Sequence, residues 1–343
     1  MGIKDLLPII RSKCKDCIHN RDISYLYNKK VVIDILIYLY TFLRISEEWK
    51  HMIYNFLSTL KSHNVIAIFV FDGIQSTVDK LKTRLKRAEL YKTQLKRISM
   101  LEELIDILEN VNIVPIYLQN YCMNHLTGKK YKMIDLDKSN PTNVIIEIRD
   151  EIRHLNLISK RISTEDIKFT IDLINIFGFY SIECIGEAES ICSFMVNNGY
   201  ADFVLTEDSD ILTYNTKHIL YKYNIYNKTF LEIDMKNILS TLNFSIEQFV
   251  DMCILLGCDY NSRMKGYGPV KCFDLISRYK NIESIIIENK LSDEYISSIN
   301  YKRCREIFLS NITDESIIEG IKKSNYINRS YDIEEVYKFM NIY

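Results

Sequence analysis

Proline and glycine are scarce, four and ten in 343 residues, which leaves little room for long flexible linkers. A chain of this length makes one large domain or two smaller ones. No secretory layout is present, because MGIKDLL is not a charged segment followed by an apolar one. Leu6 stands where an acylated amino terminus needs Ser or Thr. The most apolar run, Val31 to Leu43, is interrupted by Asp34 and too short to span a bilayer. Excess charge of one sign is also missing: the net charge is −1, which excludes a uniformly basic coat but leaves room for a local basic surface. These absences lead us to expect a soluble, intracellular protein, in nucleus or cytoplasm, with no membrane contact. Its nine cysteines are then expected as reduced thiols. Cys14-x-x-Cys17 with His19, and Cys122-x-x-His125, match zinc-ligand spacing only loosely, so scattered free cysteines are the preferred reading.

What the chain does have is acid in unusual places. Seven acidic residues fall in five short clusters: Asp34 in VVIDIL, Asp72 in FVFDG, Glu187 and Glu189 in IGEAES, Asp208 and Asp210 in TEDSD, and Asp259 in LLGCDY. Each stands where a strand should end or a helix begin. Burying an unpaired carboxylate is costly, and convergence on hard divalent cations, which prefer oxygen ligands, offsets that cost. The bland alternative is a set of helix caps and surface charges. Capping explains each pair but not their common sequence context.

Val31–Leu36 and Val65–Phe71 are continuous β-branched and aromatic runs, expected as strands buried on both faces. Asp202–Thr206 and His218–Tyr223 read as further strands, with helical patterns at Ile167–Phe177 and Glu187–Asn197 between them. This alternation predicts an α/β fold with a mostly parallel central sheet flanked by helices. Ligands of such sheets sit beyond the carboxyl ends of the strands. Asp34, Asp72, Asp208 and Asp210 should therefore share one sheet edge.

Val78 to Arg97 carries eight basic residues, Lys80, Lys82, Arg84, Lys86, Arg87, Lys92, Lys96 and Arg97, against Asp79 and Glu89. Strong helix formers without Pro or Gly predict a long basic helix. It starts six residues after Asp72, which favours a phosphate-gripping role over a merely solvated face. From Met100 to Thr164 the pattern is helical and mixed in charge, with a loop near Ser139-Asn140-Pro141 and no catalytic motif. Later, Ser245–Gly257 and Pro269–Tyr279 read as helices joined by a turn-rich link. Gly266-Tyr267-Gly268-Pro269 opens the second helix with backbone N–H groups suited to a phosphate.

In order, MGIKDLL, VVIDILIYLY, FVFDG, IGEAES, TEDSD and CILLGCDYNSRMKGYGPVKCFDLI resemble the flap endonuclease (XPG-type) family of structure-specific 5′ nucleases. Only about Ile98 to Ser163 fails to match. The resemblance implies an α/β nuclease core, a helical arch or cap, and a helix–two-turn–helix module for duplex DNA. Its divisions here would be 1–77 and 165–260 for the nuclease parts, 78–164 for the arch, with its basic helix at 78–97. The helix–two-turn–helix would be 245–285 and a helical extension 286–343, all in a single nuclease domain spanning 1–343. It implies that Asp34, Asp72, Glu187 and Glu189 on one side, and Asp208, Asp210 and Asp259 on the other, hold two or more Mg²⁺ ions, with Mn²⁺ a substitute. Two-metal hydrolysis would leave a 5′ phosphate. The scissile phosphate would meet arch side chains among Lys80, Lys82, Arg84 and Lys86, the choice left open by a shorter spacing after FDG. Further DNA contacts would come from Gly2, Tyr40, Arg87, Gly266, Gly268 and Lys271. A K⁺ ion would sit at carbonyls around Arg263 and Met264. Tyr40 reads equally well as a core tyrosine.

Two features depart from the family. The segment between FDG and GEAES is longer than usual, and the end VYKFMNIY lacks a sliding-clamp motif. The expected partner is therefore branched or flapped duplex DNA, met by a monomer. Wealth in Ile, Lys, Asn and Tyr points to an AT-rich genome, of a parasite or a large DNA virus. Flap cleavage with 5′ exonuclease activity, in replication, repair or recombination, is the preferred function. A pure 5′ exonuclease, a junction resolvase and a catalytically silent DNA-binding scaffold remain alternatives.

Overall fold

The structure, a computed structural model, describes residues 2–73, 81–125, 140–263, 266–309 and 315–342. Its contacts divide the chain into two compact units. The first comprises Met1–Leu39, Lys50–Thr83 and Ser163–Tyr343; the second comprises Tyr40–Trp49 and Arg84–Ile162.

The first unit is built on a seven-stranded sheet. Its strands are β1 (Ile18–Asp22), β2 (Lys30–Asp34), β3 (Ile66–Phe71), β4 (Tyr180–Glu183), β5 (Phe203–Thr206), β6 (His218–Asn224) and β7 (Thr229–Asp234), in spatial order β1-β7-β6-β5-β2-β3-β4. Strands β6, β5, β2, β3 and β4 run parallel, while on one side β7 pairs antiparallel with β6 and β1 antiparallel with β7. The α/β fold with a mostly parallel sheet is thus as the sequence predicts. Strand β2 is shorter than expected, because the chain turns into the helix Ile35–Ile45 directly after Asp34. Strands β2, β3 and β5 are apolar and buried almost throughout, as central parallel strands covered on both faces must be.

Register decides where the acids lie. Asp34 pairs with Val70 across β2 and β3, Phe71 with Glu183 across β3 and β4, and Ile33 with Leu205 across β2 and β5. Parallel strands held in this register end level with one another. The turns that follow, with Asp72, Glu187 and Asp208, leave from the same sheet edge.

Helices cover the sheet and extend the core. Thr164–Ile176 starts with a capping box, Ser163 and Asp166 satisfying each other's backbone N–H groups. Ile246–Leu256 starts the same way with Ser245 and Gln248. It ends at Gly257, whose φ of 92° would strain any residue with a Cβ. Pro269–Tyr279 follows, packing Cys272, Leu275 and Ile276 into the main core. Of the loosely zinc-spaced residues, Cys14 and Cys17 are buried free thiols, and the side chains of Cys122 and His125 lie outside the described residues.

The second unit has its own small core, in which Ile98, Leu101, Leu104 and Leu108 meet Val144, Ile148 and Leu155. These come from two long helices, Leu81–Leu108 and Pro141–Ser159. The expected helix at 78–97 runs eleven residues further, since no breaker follows Arg97 and the apolar spacing continues. An Arg97–Glu151 ion pair of 2.6 Å ties the helices together, and just past the second one the Arg161 guanidinium lies over the Tyr91 ring. Among the described residues no single helix is long and apolar enough to cross a membrane.

Candidate metal centre and nuclease site

Three carboxylates converge where β3 and β4 end. Asp72, Glu187 and Glu189 each place an oxygen within 4.8 Å of the others. The first is exposed, the second half-buried and the third buried, so the cluster runs from the surface into the protein. The local sequence explains the convergence. Asp72 follows the last residue of β3, and Glu187 and Glu189 are the N-cap and a first-turn residue of the helix Ala188–Asn197. Asp72 Oδ1 accepts the Ala188 backbone N–H at 2.7 Å, tying one turn to the other. The positive end of that helix offsets part of the charge crowded around it.

The next acids along the edge are more deeply held. Asp34, Asp208 and Asp210 retain only 5%, 7% and 4% of their surface, which makes their burial among apolar strands a real electrostatic cost. Thr206 Oγ1 donates to Asp34 Oδ2 at 3.0 Å and accepts from Asp208 N at 3.1 Å. Asp208 Oδ1 in turn accepts from Asp210 N at 3.0 Å, capping the short helix Ser209–Tyr214. In Asp34, Asp72 and Asp208 alike, one carboxylate oxygen is committed to a protein donor, which fixes the direction of the other.

Neighbouring groups register how closely the acids crowd. Burial pushes the Cys184 thiol up to about 12, and the Asp72 charge adds to the shift. Burial likewise raises Cys192, reinforced by Asp34 and Glu189. It also raises Tyr214, reinforced by Glu189, Asp210 and Glu187. Tyr260, hydrogen-bonded to Tyr214, is raised by burial, by that tyrosine and by Glu187, Glu189 and Asp210. The fields of five of the acids therefore fall on four neighbouring side chains.

Gly2 packs against this edge. Its φ is 92°, and a Cβ there would lie 2.2 Å from Asp208 Oδ1 and 2.5 Å from Ser209 Oγ. Asp259 sits in the turn after Ile246–Leu256. Its carbonyl accepts Thr83 Oγ1 at 2.7 Å, which fastens the start of the basic helix to that turn. The turn is braced by Asn261, whose Nδ2 donates to Ile254 O at 2.8 Å and Ile299 O at 2.9 Å while its Oδ1 accepts Cys258 N at 2.8 Å. Arg263 adds a bond to Leu256 O and a 2.6 Å ion pair with Asp5.

The remaining sequence-predicted positions are more scattered. Tyr40 is half-buried, with Arg44 over its ring at 5.6 Å. Lys86 and Arg87 are exposed on the long helix, whereas Lys80, the side chains of Lys82 and Arg84, and Met264 lie outside the described residues. Gly266 has φ 79°, and Gly268 is the N-cap of Pro269–Tyr279, with no side chain to bond the first N–H groups of that helix. Lys271, in its first turn, lies 3.8 Å over the Tyr267 ring. Thr206 and Asn261 were not singled out by sequence. Each reads there as an ordinary polar residue, and the only signal was its place inside an acidic motif.

Two family models match the chain: the XPG N-terminal domain over residues 1–97 and the XPG I-region over residues 178–259. The flap endonuclease 1 of Enterocytozoon bieneusi is 28% identical over 334 residues, covering 92% of this chain and 80% of that protein. The catalytic core of Rad2 in complex with DNA substrate superposes with a TM-score of 0.63 at 16% identity, over 99% of this chain and 95% of that one. The Holliday junction-resolving enzyme GEN1, with product DNA and Mg²⁺, gives a TM-score of 0.59 at 14% identity, over 97% and 72%. The matched regions contain every strand that carries an acidic turn. The chain belongs to the XPG-type flap endonuclease family and is a structure-specific nuclease.

Proposed function

We propose that this protein hydrolyses DNA phosphodiesters at 5′ flaps and related junctions, using divalent metal ions, in replication, repair or recombination. The observation that carries the reading is the convergence of Asp72, Glu187 and Glu189 within 4.8 Å at the carboxyl edge of the sheet. The donor set fits Mg²⁺, because it is all hard oxygen and grades from exposed to buried, as a hydrated ion entering from solvent requires. In this reading Asp72, Glu187 and Glu189 hold one ion, with Asp34 beside them. Asp208, Asp210 and Asp259 serve a second, and Mn²⁺ can replace either. When bound, such ions supply Lewis acidity that acidifies a water and stabilises the departing 3′ oxygen.

The chain's own groups do the rest. The N–H groups of Ala188 and Asp210 and the Thr206 hydroxyl hold the carboxylates in fixed directions before substrate arrives. The bare Cα of Gly2 leaves Asp208 room. Lys86 and Arg87, with Lys80, Lys82 and Arg84 before them, offer cations to the phosphate near the cut. The open helix end at Gly268, with Lys271, suits a phosphate of the uncut duplex. A K⁺ at the carbonyls of Arg263 and Met264 would support that grip, and Tyr40 would meet a base at the bend. The partner is flapped or branched DNA, bound by a monomer wherever that DNA is processed, in nucleus or cytoplasm.

The test uses end-labelled 5′-flap, nicked-duplex and four-way-junction DNAs with Mg²⁺, with EDTA and Asp208→Ala as controls. Cleavage near the flap base, lost in both controls, is expected. Cutting mainly at the nick or the four-way junction moves the enzyme to a sister activity. Absence of cleavage on all three overturns the reading.

A further inference from the structure

Thr206 is the last residue of β5 and is fully buried. Its hydroxyl lies between two segments that are distant in sequence and adjacent in the sheet, Asp34 at the end of β2 and Asp208 in the turn after β5. A hydroxyl has one proton and two lone pairs. The Asp208 N–H can only donate, so at 3.1 Å it takes a lone pair of Thr206 Oγ1. The one proton of the hydroxyl then points along the 3.0 Å contact to Asp34 Oδ2. The backbone thus dictates the direction of a side-chain hydrogen bond to a buried carboxylate.

We infer that Thr206 is a positioning residue for the metal centre. It holds the Asp34 carboxylate through Oδ2 and sets the turn that presents Asp208. The inference rests on the metal-dependent reading above. Its role matches that of outer groups that orient metal-binding side chains, whose loss typically weakens metal binding by about 10- to 100-fold. Strand packing alone does not require the hydroxyl. Valine has nearly the same shape and would fill the site between β2 and β6 without donating a proton or accepting one.

The test is direct titration of Mg²⁺ by calorimetry into the DNA-free protein, comparing wild type with Thr206→Val, Thr206→Ser and Thr206→Cys. Duplex binding in EDTA is measured in parallel. The expected result is Mg²⁺ affinity about tenfold or more weaker for Thr206→Val, near normal for Thr206→Ser, and unchanged duplex binding in EDTA throughout. Should Thr206→Val fail to fold, Thr206→Cys decides, because a thiol is a weak donor of similar size and must fall between serine and valine. Wild-type Mg²⁺ affinity in Thr206→Val, or in Thr206→Cys where valine does not fold, overturns the positioning role and leaves the metal-dependent reading standing. A wild-type protein that binds no Mg²⁺ overturns both.

Discussion

Asp72 Oδ1 accepts the backbone N–H of Ala188 at 2.7 Å, so one carboxylate both caps a helix and faces two further acids within 4.8 Å. The two duties separate by substitution. Asp72→Asn keeps an oxygen for the Ala188 N–H but loses the charge, whereas Asp72→Ala loses both. We expect both variants to lose cleavage by at least about a hundredfold, the scale of removing a group that stabilises transition-state charge. Only Asp72→Ala should also lose stability, by about 1 kcal/mol, as for a lost helix cap. Flap cleavage rates and urea midpoints on the same preparations give the comparison. An active Asp72→Asn would remove Asp72 from the proposed metal set.

Gly2 offers a sharper steric test. A methyl group at Gly2 meets Asp208 Oδ1 at 2.2 Å and must adopt a left-handed backbone. Gly2→Ala should therefore displace the Asp208 carboxylate, raise the Mg²⁺ concentration for half-maximal cleavage, and cost about 1 kcal/mol of stability through its left-handed backbone. An unaltered Mg²⁺ dependence would mean that the amino-terminal segment does not constrain the acidic edge.

Far from the acids, Lys61 reports on the carboxyl-terminal segment. Its Nζ donates to Asn328 Oδ1 and Arg329 O and lies 4.4 Å over the Phe179 ring. Burial, with the Arg329 charge adding, lowers its pKa from 10.5 to about 8. The unfolded chain then binds more protons than the folded one between those values, so stability from this group is full above 10.5 and lost as pH falls through 8. Lys61→Met escapes the penalty but gives up both hydrogen bonds. Its stability relative to wild type should thus decline as pH rises from 8 to 10.5. Paired urea titrations across that window measure the difference, and a pH-independent difference would contradict the buried, charge-opposed lysine.

Much of this was legible in sequence because burial leaves a simple pattern. Val31–Ile33 and Ile66–Phe71 are apolar on both faces, so they read as central strands, and the acids that end them read as an edge. Strands β1 and β7 were not anticipated. IHNRD has no buried position and TFLEID only two, and β1 is itself an outer strand, so neither carries a continuous apolar signal. β4, YSIE, is short and half-exposed at the other edge. The seven acids stood out because each is polar in an apolar context. Thr206 did not, because a threonine is at home in a strand and its role depends on β5 lying beside β2. Asn261 was hidden for the same reason: its two acceptors, Ile254 O and Ile299 O, lie in segments forty-five residues apart in the chain.

The carboxyl-terminal helices supply the last prediction, since they brace the turn that carries Asp259. Arg305, on the helix Tyr301–Leu309, forks onto Asp251 with two bonds of 2.6 Å and onto Glu283 with bonds of 2.6 and 2.8 Å. Asp251, on Ile246–Leu256, is 1% exposed and also accepts Ile282 N, so it depends on this guanidinium for its charge. Removing one partner of such a buried pair costs about 3–5 kcal/mol, because the other charge is stranded. The same helix presses Phe308 against Tyr260 and Tyr214, at ring distances of 5.6 and 5.9 Å. Those tyrosines flank Asp259 and the Asp208–Asp210 turn. Arg305→Ala should therefore destabilise by about 3 kcal/mol or more, and Arg305→Lys should recover only part, since one ammonium cannot form both forks. Phe308→Leu tests the link to the site: it should keep most of the stability yet raise the Mg²⁺ concentration needed for cleavage by loosening Tyr260. Urea denaturation and Mg²⁺ titration of flap cleavage, both at low temperature where each variant is folded, separate the two effects. If Phe308→Leu shifts stability and Mg²⁺ dependence not at all, the extension packs beside the nuclease unit without shaping its acidic edge.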